Sequence, residues 1–129
     1  MFKATAYSSA VTTIIKYTAR EPRPYDHNVK NSFPSGHATT AFAFSGFVAA
    51  EHGWAWGAPA LLMSTFVAYS RINDNQHWLH DVVAGGTIGW VYGWGIAKLN
   101  HGKKKKEGEV SVVPIYDHKT AGLSLYREF

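Results

Sequence analysis

Charged residues fall in blocks along this chain, and three long uncharged runs lie between them: Ala38 to Ala50, Trp54 to Ser70 and Val82 to Ala97, of 13, 17 and 16 residues. Each run reads as the body of a helix with signals at its ends. Ser35 stands where an N-cap is wanted ahead of the first, and Gly53 ends it. A fourth helix is expected upstream, from Lys3 to Thr18, because Pro22 and Pro24 cannot continue it. The pattern therefore predicts helices over residues 3–18, 35–51, 54–69 and 77–99, with loops at 20–34 and 72–76. Glycines at 85, 86, 89, 93 and 95 thin the last helix, and small residues let helices approach closely.

After Leu99 the character changes. Lys103 to Lys106 is a basic run, and Val110 to Tyr116 and Leu123 to Phe129 resemble two short strands around a turn containing Gly122. Pro114 confines the first of these to an edge. The expected division is a helical core at 1–101 and a basic linker with a tail at 102–129. The fold class expected is all-α: a four-helix core bundle, membrane-embedded or membrane-associated, with a short C-terminal β-hairpin-like tail.

Membrane crossing takes about 20 mostly apolar residues. The three runs are borderline by that measure, and a buried soluble bundle is the competing reading. Five tryptophans near or along the runs suit interfacial belts. If all four helices span, the lysine run argues for a cytoplasmic Lys103 side and an outward-facing opposite end. Localisation at a bacterial inner membrane, facing the periplasm, is the expectation.

Length and charge then narrow the class. The 129 residues suit one domain, short for an independent core of long helices. A net charge of +4 fits phosphate-bearing partners. No interleaving of aromatic and basic residues resembles a nucleic-acid module, so nucleic acid is not expected. The chain has no cysteine, which excludes disulfides, thiolate metal sites and a cysteine nucleophile.

The chemistry sits at the helix junctions. His77 and Asp81 are four residues apart, which on a helix places both on one face. The aspartate can then fix the imidazole tautomer and leave the other nitrogen free to attack. Ser35-Gly36-His37 opens a helix whose N-terminal N–H groups suit an anion. Gly36 lets a phosphate approach the backbone, and His37 is placed to protonate a leaving oxygen. Lys16, Arg23 and Arg71 suit the equatorial oxygens of a five-coordinate phosphorus. In an up-down bundle the junctions carrying these residues lie at one end. His80 points about 100° away from Asp81 on a helix and reads as peripheral.

These residues form Lys16-x6-Arg23-Pro24, Pro34-Ser35-Gly36-His37 and Ser70-Arg71-x5-His77-x3-Asp81. The chain thereby resembles the type 2 phosphatidic acid phosphatase and vanadium haloperoxidase superfamily, on its lipid phosphate phosphatase branch. The resemblance implies that His77 attacks phosphorus to give a phosphohistidine, that Asp81 orients it, and that His37 protonates the leaving alkoxide. It implies phosphoryl-oxygen binding by Lys16, Arg23, Ser35, Gly36 and Arg71. It implies no metal and no cofactor, with vanadate as an inhibitor or transition-state mimic. The substrate expected is a lipid phosphate such as phosphatidic acid, phosphatidylglycerol phosphate, an isoprenyl diphosphate or a lipid A phosphate. Membrane members of the family commonly carry two further helices before the first seen here, so missing N-terminal helices or a homo-oligomer are expected to complete the bundle. The alternatives are a vanadium-dependent haloperoxidase and a non-enzymatic membrane protein that binds lipid headgroups.

Overall fold

A computed structural model describes the backbone of residues 2–107, 111–117 and 120–126, and the side chains of residues 2–102. Among the described residues four helices follow in order: α1 (Phe2–Ala19), α2 (Gly36–His52), α3 (Trp54–Asn73) and α4 (Leu79–Glu107). The chain divides into two compact units, Met1–Lys98 and Leu99–Phe129.

In the first unit α2 is the central helix, and small residues bring its neighbours close. On the α1 side, Thr12 and Thr39 share a hydroxyl–hydroxyl hydrogen bond of 3.1 Å. Toward α3, Ser64 Oγ donates to the Ala41 carbonyl at 2.7 Å. Toward α4, the backbones themselves meet. A Cβ placed on Gly89 falls 2.8 Å from the Ala43 nitrogen, and one on Gly93 falls 2.9 Å from the Ala43 carbonyl carbon. Gly85 lies just as tightly against Ser35. These three glycines recur every four residues, so they share one face of α4.

The interior follows from that closeness. The buried apolar residues are Ala4, Ala38, Ala43, Ala49, Ala68, Val82 and Ala97. Buried Ser8, Thr12, Thr39, Ser45 and Ser64 accompany them. The large side chains face outward: Leu62, Met63, Phe66, Val83 and Val91 are all well exposed. A groove of about 560 Å³ between α3 and α4 is lined by Leu61, Ala68, Ile72, Leu79, Val82 and Gly86, among others. Trp54, Trp90 and Trp94 gather at the start of α3 with ring centroids 5.9–6.3 Å apart.

Three expectations need correction. Ser35 does occupy the N-cap of α2, but its side chain makes no capping bond and its hydroxyl is buried without a partner. The last helix starts at Leu79, not His77. Asp81 reaches back to accept the Trp78 N–H at 2.8 Å, the N3-to-N-cap half of a capping box, and this sets the start. Asn75, at φ 52°, turns the chain just before it. Finally, no helix among the described residues is long and apolar enough to cross a membrane, so the topology in which all four span is not carried forward. Glycine, serine, threonine and alanine, which permit the close packing, also lower the apolarity of each helix.

Gly53 does end α2 as expected. It adopts φ 77°, and its N–H bonds the Ala49 carbonyl at 3.1 Å. In the second unit Ser111–Asp117 (β1) pairs antiparallel with Thr120–Tyr126 (β2). Gly122 lies opposite Ile115 inside β2, not in a turn, because the register places the connection between Asp117 and Thr120. The side chains of the expected tail lie outside the described residues, as does the backbone at 127–129.

Candidate active site

A cavity of about 640 Å³ opens where α1, the 20–34 loop, α2 and the segment before α4 meet. Lys16 enters it from the last turn of α1, Arg23 from the loop, Gly36 and His37 from the first turn of α2, and His77 from two residues ahead of α4. Ser9, Thr12, Thr13 and Thr40 add hydroxyl-bearing side chains to the wall. Five of the eight residues expected from sequence thus line one cavity, and both histidines are among them.

The three others are placed differently. Asp81 lies behind His77, fully buried, with its Oδ2 3.4 Å from His77 Nδ1. Ser35 is buried directly ahead of Gly36, and its N–H donates to the Asp81 carbonyl at 2.9 Å. Arg71 is not part of the cavity lining. Its Nη2 is held by Asp74 at 3.2 Å, and its Nε lies 3.3 Å from the Ser70 hydroxyl.

His77 is fixed by what surrounds Nδ1. Ser32 Oγ lies 3.4 Å from that nitrogen and donates a short hydrogen bond to Asp81 Oδ2. The same carboxylate oxygen takes the Trp78 N–H. Asp81 is therefore locked by two donors and presents a negative oxygen to His77 Nδ1. That partner favours the proton on Nδ1 and leaves the Nε2 lone pair free. Burial first, then the charges of Lys16 and Arg23, hold the His77 pKa below its ordinary value of 6.5, against an opposing pull from Asp81. The imidazole is thereby kept neutral, the state that can attack.

The cations are positioned as firmly. Lys16 Nζ donates to the Asn31 carbonyl at 2.6 Å. Arg23 Nε donates to Asn31 Oδ1 and Nη1 to Gln76 Oε1, both at 2.8 Å. Asn31 thus holds both cations, one by its backbone and one by its side chain. Burial and the neighbouring Arg23 lower the Lys16 pKa, against an opposing pull from Asp81. Two cations sharing one wall with no carboxylate between them form a site prepared for an anion.

Sequence reasoning missed Ser32, Asn31 and Gln76. Two of them act across a long stretch of chain: Ser32 reaches 49 residues to Asp81, and Arg23 reaches 53 to Gln76, while Asn31 meets Arg23 over 8 residues and Lys16 over 15. No local spacing marks such contacts. His80 is not part of the cavity lining; its side chain is 57% exposed and its Nε2 lies 2.7 Å from Glu21 Oε1.

Comparison with known proteins agrees with this geometry. Residues 1–105 match the PAP2 superfamily, and the chain belongs to that family. PAP2 phosphatases are metal-independent. Over 82 residues the chain is 37% identical to a lipid A 1-phosphatase of Porphyromonas gingivalis, covering 60% of this chain and 18% of that protein. Over 72 residues it is 36% identical to a lipid A 4'-phosphatase of Helicobacter pylori, covering 56% of this chain and 34% of that protein. The chain thus spans from under a fifth to about a third of the length of these relatives. No solved structure matches it.

Proposed function

We propose that the chain carries the catalytic centre of a phosphatase that cleaves a lipid phosphate through a phosphohistidine. The observation that carries this reading is the single cavity shared by His37, His77, Lys16 and Arg23. His77 Nε2 attacks phosphorus opposite the ester oxygen. As the N–P bond forms and the P–O bond breaks, His37 gives its proton to the departing alkoxide. Water then attacks the phosphohistidine, with His37 taking the proton from it, and inorganic phosphate leaves.

Lys16 and Arg23 neutralise the equatorial oxygens, and the N–H groups at the start of α2, beside Gly36, add backbone donors. The unpartnered Ser35 hydroxyl supplies a further donor. Arg71 joins by exchanging Asp74 for a phosphoryl oxygen. Asp81, held by Ser32 and the Trp78 N–H, stabilises the positive charge that builds on His77.

Two observations favour a lipid over a soluble ester. The exterior carries large apolar side chains while the interior is built from small ones, an arrangement suited to lipid contact. The matched relatives are named for phosphatase action on lipid A. The site is therefore read as membrane-associated, with a glycolipid phosphate as the leading substrate class.

Phosphate release over a panel of lipid and soluble phosphates, with and without vanadate, tests this. Turnover of lipid phosphates that vanadate suppresses, and that His77→Ala abolishes, is the expected result. Turnover surviving His77→Ala, or none on any phosphate ester, overturns it.

A further inference from the structure

Asp81 has two oxygens with opposite fates. Oδ2 accepts from Ser32 Oγ and the Trp78 N–H and faces His77. Oδ1 is fully buried and has no hydrogen-bond partner among the described residues. His80 Nε2 lies 3.2 Å from it, but that nitrogen is closer to Glu21 Oε1, at 2.7 Å. A neutral imidazole has one N–H to give, so Glu21 takes it and Asp81 Oδ1 is left without a donor. A buried carboxylate oxygen in that condition is destabilising, and a cation relieves it.

We propose that Glu21, His80 and Asp81 form a binding site for a divalent transition-metal ion such as zinc, and that occupancy slows the phosphatase. The ligand atoms of the three residues lie within 4.8 Å of one another. One imidazole nitrogen with two carboxylate oxygens is a donor set that zinc accepts, at ligand distances of about 2.0–2.2 Å. Access is from one side. The His80 side chain is 57% exposed and that of Glu21 32%, whereas Asp81 is sealed.

The frame is also in place before any ion arrives. His80 and Asp81 sit in the first turn of α4, the Glu21 carbonyl accepts the Ser32 N–H at 2.9 Å, and Trp78 Nε1 donates to the Pro22 carbonyl at 3.1 Å. These bonds tie the loop carrying Glu21 to the start of α4. Binding replaces the His80–Glu21 hydrogen bond with two metal–ligand bonds and moves the imidazole proton to Nδ1.

The consequence reaches the active site through one carboxylate. A cation on Oδ1 withdraws charge from Asp81, so Oδ2 is a poorer acceptor for His77 Nδ1–H. His77 Nε2 then becomes less basic and a slower nucleophile. The inhibitory half rests on the phosphatase reading; the binding half does not.

The experiment uses the full chain and zinc alone as the probe. Binding is measured by competition with a chromogenic chelator, and turnover is measured in parallel. The expected result is one zinc per chain, with inhibition reversed by a chelator. Glu21→Gln and His80→Ala should each weaken binding at least tenfold, keep zinc-free turnover within about twofold, and lose the inhibition. Zinc binding that is absent, or that in both variants is as tight as in the unsubstituted chain, overturns the site. Binding with undiminished turnover overturns the inhibitory half. Binding that behaves as expected in a chain with no zinc-free turnover upholds the site and instead sinks the phosphatase reading.

Discussion

Substituting Gly89 by alanine tests the claim that α2 and α4 meet backbone to backbone. The added Cβ would stand 2.8 Å from the Ala43 nitrogen and 2.9 Å from the Thr39 carbonyl carbon, and nearer still to the Thr39 oxygen. Cβ atoms essentially never approach another heavy atom within 3.0 Å. The obstacles here are backbone atoms of a packed helix, so rotamer changes offer no escape. Overpacking of this kind costs about 1–3 kcal/mol. Alanine returns roughly 1 kcal/mol through its better helix propensity, so the net loss is up to about 2 kcal/mol.

Gly95 supplies the control. It lies on the same helix, and an added Cβ there meets nothing within 4 Å. Gly95→Ala should therefore gain up to about 1 kcal/mol from propensity. The same chemical change is expected to act with opposite sign at two positions six residues apart. Urea unfolding reads the difference as a gap in midpoint on the order of 1 M between the two variants. Gly89→Ala should also lower turnover, because the wedge moves the helix that begins with Gly36 and His37 away from the helix that carries Asp81. If Gly89→Ala is as stable as Gly95→Ala, the backbone contact is not there and the placement of the two histidines loses its foundation.

Three further outcomes are expected. Ser32→Ala removes one of two side-chain or backbone donors on Asp81 Oδ2; at about 1.5–3 kcal/mol for a hydrogen bond to a charged group, kcat should fall roughly tenfold or more with KM little changed, and Ser32→Thr should recover part of the loss. The depressed His77 pKa places the acid limb of the kcat/KM profile below pH 6.5, and Lys16→Met, by removing the larger of the two repelling charges, should move that limb upward. The same depression bears on stability: between the folded pKa and 6.5 the unfolded chain binds the proton that folded His77 refuses, so the fold should weaken as pH drops through that window. A limb that stays in place in Lys16→Met would show that the lysine does not act on His77.

What could be read from the sequence, and what could not, divides along the range of the interactions. The helices at 3–18, 35–51, 54–69 and 77–99 were expected from uncharged runs and local stop signals, and they appear at 2–19, 36–52, 54–73 and 79–107. Their ends shift where a side chain intervenes, as Asp81 does at Trp78. Lys16, Arg23, Gly36, His37 and His77 were legible because each belongs to a spaced motif at a helix junction. Their convergence followed from bundle connectivity. The supporting residues were not legible, because Ser32, Gln76 and Glu21 acquire roles only when segments dozens of residues apart fold together, and Asn31 only when the loop folds back on α1 and on Arg23. His80 shows the limit most clearly. The sequence reading sets it about 100° from Asp81 around the helix, yet that angle says nothing about what the other side faces. The fold brings Glu21 there across 59 residues, so one oxygen of Asp81 faces His77 and the other lies beside the His80–Glu21 pair. A motif specifies the oxygen that faces His77; the surroundings of the second oxygen are specified by the loop.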